Sequence, residues 1–475
     1  MAVIATRRAD PRNKAQAPGA AQSPAGPADA SEVTGLPVGP TLPPVAQALR
    51  FSVRPMAFQL SSARRFGEVW TMRLPMRRGG FVVTSHPDHV RSLLSADPAD
   101  APSLTGESPL RPILGPNSVL TSVGERHLRQ RKLLLPAFHG EAVARYVDMI
   151  SEVAERDIDG WPVDEAFALA PRMQAVTLEV IMRGVLGIEP GAAADSPEEQ
   201  LRRTVRRLLA ASTHPTYRLL ELRNSGRADA RGLLARMIAT VDRRLYAVIA
   251  RRRRESVSSA RDDVLSMLLA ARDDRGEPLT DRELRDELLS LVLAGHETTA
   301  NSLAWTFERL LRTPAAYDRL RELARGDDED ATAAFVEATI HEGMRARPVI
   351  PMVVRLVKRP WRLGQDVLPA GTATAVGIIA LHHRPDVYPR PTSFEPERFL
   401  GNKPGTYTWL PFGGGIRRCL GATLAMAEQR VVLRAIARRT DLVAPERAPE
   451  PPRMRNVTMI PRDGCQVRVT RRLPA

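Results

Sequence analysis

The stretch with the clearest chemical potential is Phe412–Gly421, which holds a single cysteine, Cys419. Four of its ten residues are glycine, so the backbone can approach a large flat group closely. Arg417 and Arg418 precede the cysteine, and nearby positive charge favours a thiolate, which is a soft and electron-donating metal ligand. The apolar run Leu420–Ile436 has helical spacing and would direct its N-terminal amides at the sulfur. The pattern favours a thiolate metal ligand over the alternative, a glycine-rich turn with a structural cysteine.

A second group of reactive side chains lies at the centre of a predicted long helix. Thr280 and Glu283 form a capping box, and the helical pattern continues to about Arg312. The centre, Ala294–Thr299, contains a glycine, a carboxylate and two hydroxyls, which are poor choices for a helix that only packs. A hydroxyl beside a widened helical turn can hydrogen-bond bound dioxygen, and an adjacent acid can relay protons from water. The pattern therefore indicates acid–base chemistry rather than a tolerated kink.

Two shorter motifs lie between this helix and the cysteine loop. Glu342 and Arg345 are three residues apart and share one helix face, where an exposed pair would contribute only a few tenths of a kcal/mol. The sequence Pro-Glu-Arg-Phe follows at Pro396–Phe399 and supplies a further arginine, Arg398. Two separated motifs in this order are more specific than a single helical ion pair.

Together these motifs resemble those of the cytochrome P-450 superfamily, and the resemblance covers about residues 45–475. The cysteine-loop pattern of that family falls on Phe412, Gly415, Arg417, Cys419 and Gly421. Its helix signature of small residue, glycine, any residue, acid and threonine falls on Ala294, Gly295, Glu297 and Thr298. The resemblance implies a mainly α fold with a smaller β-rich lobe, in which haem lies between the long central helix and the cysteine loop.

The resemblance also implies a role for each reactive group. Cys419 is expected to bind the iron of haem b as a thiolate, a ligand that favours cleavage of the O–O bond. Thr298 is expected to contact the dioxygen co-substrate and Glu297 to relay protons to it, whereas Thr299 packs or bonds back to the helix. The matching glycines and Phe412 of the cysteine loop, with Ala294, are expected to contact the haem.

Further cofactor contacts and a structural network follow from the same resemblance. His127 and Arg131 are four residues apart on one helix face, and the family places such a pair at the haem propionates. A solvated basic helix is the alternative for both. Arg355, in a predicted strand, is the third expected propionate contact. A buried network that holds the scaffold of the cysteine loop is expected at Glu342, Arg345 and Arg398.

The implied activity is monooxygenation, in which one oxygen atom of O2 enters a hydrophobic small molecule such as a fatty acid, steroid or terpenoid. Macrolide and carrier-bound substrates stay open. Apolar residues dominate the predicted substrate pocket, which comprises Leu110, Ile113, Leu114, Val292, Ala294, Val349, Ile350, Val353 and Val457.

Electrons are expected from outside the chain, because no flavin or iron–sulfur segment is fused to it. We predict a small acidic ferredoxin and its reductase, which draw electrons from NAD(P)H. Opposite charge steers such encounters, and the net charge of this chain is +15. The predicted basic docking face consists of Arg126, Arg129, Lys132, Arg418, Arg430 and Arg434.

The composition limits which partners, compartment and domain organisation the chain can have. No nucleic-acid motif accompanies the basic charge, and no window of about twenty apolar residues predicts a transmembrane anchor. Two cysteines form no disulfide framework, which favours a reducing compartment, so we expect a cytoplasmic protein. We also expect a monomer. Residues 1–45 are rich in Pro, Ala, Gly and Ser and are predicted to be disordered, leaving residues 46–475 as one haem-binding domain. Arginine-rich usage suits an actinobacterium-like source.

Three alternatives belong to other functional classes. A haem-thiolate peroxygenase would use hydrogen peroxide directly, and a haem-thiolate isomerase or dehydratase is the second alternative. The acid–threonine pair Glu297–Thr298 argues against both, because neither reaction needs it. A non-catalytic haem-based gas sensor or ligand carrier would bind gas without turnover, and no signalling domain accompanies this one.

Overall fold

The structure is a computed structural model. It describes residues 22–474 except 76, 78, 109, 139, 213–216, 218–219, 221–222, 225–226, 228, 256–261 and 446–447. The helices are α1 (Pro44–Val53), α2 (Pro55–Phe66), α3 (Pro87–Ser95), α4 (Arg111–Leu114), α5 (Gly124–Leu134), α6 (Glu141–Ala144), α7 (Val147–Asp159), α8 (Leu169–Gly184), α9 (Pro197–Ser212), α10 (Gly232–Arg254), α11 (Val264–Ala270), α12 (Asp281–Leu311), α13 (Pro314–Arg325), α14 (Glu329–Ala346), α15 (Ile378–His382) and α16 (Ala422–Arg439). The mainly α architecture predicted from the sequence is confirmed.

The strands form four small sheets. They are β1 (Ala25–Pro27), β2 (Val69–Met72), β3 (Phe81–Thr84), β4 (Ala166–Ala168), β5 (Met352–Leu356), β6 (Trp361–Leu363), β7 (Asp366–Leu368), β8 (Ala373–Gly377), β9 (Thr440–Val443), β10 (Pro452–Arg455), β11 (Thr458–Pro461) and β12 (Gln466–Arg472). The largest sheet has the order β2-β3-β8-β5, in which only the β3–β8 pair is parallel. Smaller sheets have the orders β1-β6-β7, β4-β12-β9 and β10-β11.

The long helix α12 organises the helical part of the molecule. Its predicted capping box forms: the Thr280 hydroxyl accepts from the Glu283 amide, and the Glu283 carboxylate accepts from the Thr280 amide. From Thr299 to Phe307 every residue is buried, so this half of α12 is surrounded by other elements. It packs against α8, α14 and α16, and the Ser302 hydroxyl donates to Gln429 of α16 at 2.7 Å. The helix is thereby fixed relative to the segment that follows the cysteine loop.

The predicted disordered tail, residues 1–45, is wrong for its second half. Strand β1 pairs with β6, and the Thr71 hydroxyl donates to the carbonyl of Pro37 at 2.6 Å. The amide of Thr71 also donates to the Val38 carbonyl. Backbone hydrogen bonds to strands of two sheets hold this segment, so its low content of apolar side chains gave a misleading signal. Residues 1–21 lie outside the described part of the chain.

The predicted C-terminal hairpin over Val457–Val469, turning at Arg462–Gly464, is also wrong. The structure pairs β10 with β11 around a turn at Asn456, which has a φ of 52°. Strand β12 instead pairs with β4 and β9. Among the described residues, every helix is too short or too polar to cross a lipid bilayer.

Candidate active site

The cysteine loop is closed by its own backbone and pressed against α3. The amide of Cys419 donates to the carbonyl of Phe412 at 2.9 Å, and a 3₁₀ turn, Gly415–Arg417, lies between them. Gly415 has a φ of 63°, and a Cβ there would lie 1.9 Å from the carbonyl oxygen of Leu94 at the end of α3. Only glycine fits both the conformation and the contact. Gly421 is the residue before α16, and a Cβ there would contact nothing within 4 Å.

The sulfur of Cys419 has mixed electrostatic surroundings. Burial is the largest influence and raises the pKa of the Cys419 thiol. The amide of Gly421 and the charges of Arg418 and Arg131 act in the opposite direction and lower it. Cys419 is nevertheless accessible to water. These surroundings suit a ligand for a metal cation, since coordination deprotonates a thiol outright.

Four of the predicted cofactor contacts form one cationic cluster. Arg417 donates to the carbonyls of Ser122 and Leu120 at 2.9 and 3.0 Å, and Arg131 donates to the carbonyl of Arg418 at 2.8 Å. Arg131, Arg355 and Arg417 form no ion pair with any described carboxylate. Their positive charges are therefore unbalanced by any carboxylate of the described chain.

The mutual influence of these side chains shows that they lie close together. Burial lowers the pKa of Arg417 to about 10, and the charges of Arg355 and Arg131 act in the same direction. Burial likewise lowers the pKa of Arg355 to about 10. The pKa of His127 falls to about 3 through burial and through the charges of Arg417, Arg131 and Arg355. At neutral pH the cluster therefore consists of three guanidinium groups and one neutral imidazole.

The centre of α12 is open on one side and tightly packed on the other. Ala294 is exposed although its helix is a core element, so this face borders a cleft. On the other side, a Cβ on Gly295 would lie 2.6 Å from the Cδ1 atom of Ile181 on α8, so the Ile181 side chain would have to shift to accept any larger residue. The hydroxyl of Thr298 donates to the carbonyl of Ala294 at 2.7 Å. Thr299 is buried, consistent with its predicted packing role.

The carboxylate of Glu297 is held by a hairpin that the sequence did not connect to it. Arg455 donates to Oε1 of Glu297 from Nε at 2.8 Å, and the hydroxyl of Thr458 donates to the same oxygen at 2.9 Å. Both partners belong to the β10–β11 hairpin, which is far from Glu297 in sequence. No local signal around Glu297 predicts them. His296, between Gly295 and Glu297, is buried, and its ring is hydrogen-bonded to the carbonyl of Val292.

The three residues of the predicted network come together in the interior. Arg345 donates from Nε and Nη2 to the two carboxylate oxygens of Glu342 at 2.6 and 2.7 Å, and both side chains are fully buried. Arg398 reaches the same carboxylate at 3.4 Å. Arg345 also donates to the carbonyls of His382, Pro391 and Ser393, which sequence reasoning missed because they lie in distant segments.

The family model for cytochrome P450 matches residues 37–469 of the sequence. This chain belongs to the cytochrome P450 family. Cytochrome P450 135B1 of Mycobacterium tuberculosis is 38% identical over 444 residues, covering 92% of this chain and 91% of that protein. Cytochrome P450 137 of the same organism is 39% identical over 411 residues, covering 85% and 83% respectively.

Solved P450 structures share the fold. Retinoic-acid-bound cyanobacterial CYP120A1 superposes with a TM-score of 0.75 at 23% identity, covering 92% of this chain and 100% of its own. The haem domain of cytochrome P450DA gives a TM-score of 0.74 at 23% identity, covering 93% and 99%. The relatives and the family match make this protein a haem-thiolate monooxygenase, an oxidoreductase that uses haem b and O2.

The residues of this P450 fit haem in two independent respects. Cys419 offers an accessible sulfur whose neighbours, Arg131 and Arg418, stabilise negative charge. The cationic cluster offers three guanidinium groups without carboxylate partners, and haem carries two propionates that would supply the missing negative charge. We therefore expect Cys419 to bind the iron and Arg131, Arg355 and Arg417 to bind the propionates.

The predicted substrate-pocket residues divide into two groups. Ile113, Leu114, Val292 and Val349 are buried in the main apolar core. The remaining members are only partly buried or exposed, namely Leu110, Ala294, Ile350, Val353 and Val457. The second group therefore keeps side-chain surface that is accessible to solvent.

Two carboxyl groups of α12 anchor the loop that follows α4, and sequence reasoning missed both. Asp286 accepts from the amide and the side chain of Asn117 at 3.0 and 2.9 Å. Glu287 accepts from the amide of Val119 at 2.7 Å, and burial raises the pKa of its carboxyl group well above the usual range. Consecutive acids in a predicted core helix were the available signal.

The predicted basic docking face is largely neutralised within the chain. Four of its six members are ion-paired: Arg129 with Asp273 and Glu283, Lys132 with Asp274, Arg430 with Glu337, and Arg434 with Glu329. Surface charge alone did not reveal these acids, which come from other elements. Arg126 and Arg418 are exposed and form no ion pair with a described residue. The candidate face therefore narrows to these two arginines.

Proposed function

We propose that this monooxygenase oxidises a hydrophobic small molecule and that Glu297 and Thr298 supply the protons that oxygen activation consumes. The observation that carries the proposal is the centre of α12, where an exposed alanine lies beside an acid and a hydroxyl. Haem, when bound, supplies dioxygen activation and the oxidising power. The chain supplies position, exclusion of water and protons.

The geometry of the two side chains suits this division of labour. The proton of the Thr298 hydroxyl points to the Ala294 carbonyl, which leaves the oxygen lone pairs able to accept a hydrogen bond from water or substrate. Glu297 is partly exposed and lies next to Thr298 in the chain, so it can exchange protons with water. The Thr298 hydroxyl holds the water or ligand, and Glu297 replaces the proton that the reaction consumes.

A hydrophobic substrate is supported by the side chains available to the cleft. Leu110, Ile350, Val353 and Val457 are aliphatic, and Ala294 adds a small apolar surface on α12. CYP120A1, which shares the fold, was solved with retinoic acid bound, and that ligand is a hydrophobic carboxylic acid. Fatty acids, steroids and terpenoids are the classes to test first.

The electron source is proposed to be an acidic ferredoxin with its NAD(P)H-dependent reductase. Arg418 directly precedes the proposed iron ligand, so a partner bound there is near the haem. Both cysteines of the chain are free thiols, which agrees with a reducing compartment such as the cytoplasm.

The test compares NAD(P)H consumption and product formation with a ferredoxin, its reductase and the three substrate classes against hydrogen peroxide alone. We expect product only with the reducing system. In Thr298→Ala and Glu297→Gln, NAD(P)H consumption should continue while product falls and peroxide is released. Equal product from peroxide alone would favour a peroxygenase, and conversion without any reductant would favour an isomerase. If the protein bound gas but formed no product in any of these assays, it would be a non-catalytic ligand carrier.

A further inference from the structure

The β10–β11 hairpin reaches the centre of α12 and contacts the proposed relay acid. Arg455, the last residue of β10, and Thr458, the first of β11, both bond to Oε1 of Glu297. The ion pair is largely shielded, with 22% and 20% of the two side chains exposed. In such surroundings a charge-assisted hydrogen bond is stronger than at an open surface.

The hairpin is itself fixed, so Arg455 has a defined position. The amide of Met459 donates to the carbonyl of Val349 at 2.6 Å, and the indole of Trp305 on α12 donates to the Met459 carbonyl at 3.3 Å. The turn at Asn456 brings Arg455 and Thr458 to the same side. This anchoring ties the guanidinium to the helix that carries Glu297.

The two carboxyl oxygens of Glu297 differ in their hydrogen bonds. Oε1 accepts from Arg455 and Thr458, whereas no described residue donates to Oε2. The hydroxyl of Thr458 has a single proton and two acceptors in range, Oε1 and the carbonyl of Arg455 at 2.8 Å. The Thr458 hydroxyl can therefore turn its hydrogen bond from the carboxyl group of Glu297 to the carbonyl of Arg455 when Oε1 gains a proton.

We propose that Arg455 is a positioning residue for proton delivery: with the help of Thr458 it holds the carboxyl group of Glu297 by Oε1, so that Oε2 is directed away from the hairpin. The inference rests on the proposed relay role of Glu297. Arg455 acts through the acid, because the side-chain contact that it makes among the described residues is with Glu297.

Other groups near this acid do not replace Arg455. His296 is the titratable neighbour on α12, and burial lowers its pKa, so it is neutral at neutral pH. Arg455 is thus the cation that faces Glu297 among the described residues. Arg453 lies on the same strand but is exposed to solvent and is not among the hydrogen-bond donors to the acid, which makes it a matched control.

The experiment measures product formed per NAD(P)H in Arg455→Gln, Arg455→Lys, Glu297→Gln, the Arg455→Gln/Glu297→Gln double variant and Arg453→Gln. We expect Arg455→Gln to lower this ratio about tenfold, or roughly 1.4 kcal/mol, because the acid loses the partner that orients it. Arg455→Lys should restore most of the ratio, and Arg453→Gln should behave like the parent. In the Glu297→Gln background, Arg455→Gln should add nothing.

A readout independent of turnover is the carboxyl stretching band of Glu297 in infrared difference spectra, assigned by its loss in Glu297→Gln. Its frequency should change in Arg455→Gln, where the charge-assisted hydrogen bond to Oε1 is lost, and not in Arg453→Gln. An unchanged band, or an additive loss in the double variant, would overturn the role of Arg455. If Glu297→Gln formed as much product per NAD(P)H as the parent, the proposed relay role of Glu297 would itself be wrong.

Discussion

The cationic cluster shows how single residues prepare the chain for its cofactor. Arg131, Arg355 and Arg417 come from a helix, a strand and the cysteine loop, and burial lowers the pKa of each. Buried like charges without partners disfavour the folded state, so a ligand with two carboxylates relieves a repulsion that the fold creates. Affinity for haem and this repulsion are therefore linked.

Replacement of Arg355 by Gln is predicted to weaken haem retention without weakening the protein fold. A hydrogen bond to a charged group contributes about 1.5–3 kcal/mol, so haem loss should be roughly ten- to a hundredfold faster. Transfer of haem to an excess of an acceptor protein measures the rate. Arg359→Gln, at an exposed site four residues away, is the control.

The haem-free Arg355→Gln protein should unfold at the same temperature as the parent or higher, since one buried repulsive charge is gone. A lower unfolding temperature together with unchanged haem retention would contradict the assignment of Arg355 to a propionate.

Residue-level prediction from sequence succeeded where type and spacing carry the information and failed where partners are distant. Glu342, Arg345 and Arg398 lie in two recognisable motifs and meet in the structure. Arg455 has no feature that distinguishes it from the other arginines of this basic chain. Only the folded hairpin brings it to Glu297.

At the scale of elements, the junction between α3 and the cysteine loop depends on Gly415. Alanine there would combine a left-handed backbone conformation with overlap against the Leu94 carbonyl. Strain of this kind costs roughly 1–3 kcal/mol, so Gly415→Ala should lower the unfolding temperature and the haem content. Differential scanning calorimetry and absorbance measure both.

Gly421→Ala is the matched control, because Gly421 has a φ of −80° and open space around its missing Cβ. It should unfold at the parental temperature. If both variants lose the same stability, the contact with Leu94 is not what restricts the loop.

A buried acid on α16 makes the stability of this element dependent on pH. Burial raises the pKa of Glu428 to about 8, whereas the carboxyl of an unfolded chain ionises near its ordinary value of 4.5. The folded state therefore holds this proton more tightly, and the stability it contributes is complete below pH 4.5 and lost as pH rises towards 8. Glu428→Gln removes this dependence.

We expect the free energy of unfolding of Glu428→Gln to exceed that of the parent increasingly from pH 5 to pH 8, as measured by denaturant titration. Glu322→Gln, an exposed substitution on α13, controls for the change in net charge. A constant difference between Glu428→Gln and the parent across this range would show that the carboxyl is already ionised in the fold.

Elements with strong periodicity or caps were predictable, and those held by backbone pairing were not. Helix α12 begins and ends within a residue of its predicted bounds because the capping box and apolar pattern are local. Strand β1 forms only because β6 offers free backbone groups, and β12 joins β4 and β9 rather than β11. Such long-range pairing leaves no mark in composition.

At the scale of the whole molecule, a net charge of +15 should steer an acidic electron donor, while intramolecular ion pairs limit where it docks. The rate of reduction by ferredoxin should fall as ionic strength rises from about 0.01 to 0.15 M, where the screening length shortens from roughly 30 to 8 Å. Arg126→Gln with Arg418→Gln should slow reduction at low salt and flatten this salt dependence.

Arg243→Gln with Arg244→Gln removes the same charge from the exposed surface of α10 and is the control. Stopped-flow reduction at several salt concentrations makes the comparison. Equal effects of the two double variants would indicate steering by net charge without a docking face at the cysteine loop.

Cys419 is proposed to be the thiolate ligand of a catalytic haem. The most direct measurement is the difference spectrum of the reduced, haem-loaded protein with and without carbon monoxide, recorded for the parent, Cys419→Ser and Cys465→Ser. We predict a strongly red-shifted Soret band in the parent and in Cys465→Ser, where the thiol is buried away from the loop, and its loss in Cys419→Ser. A parent without this band, or a Cys419→Ser variant that keeps it, would contradict thiolate ligation by Cys419.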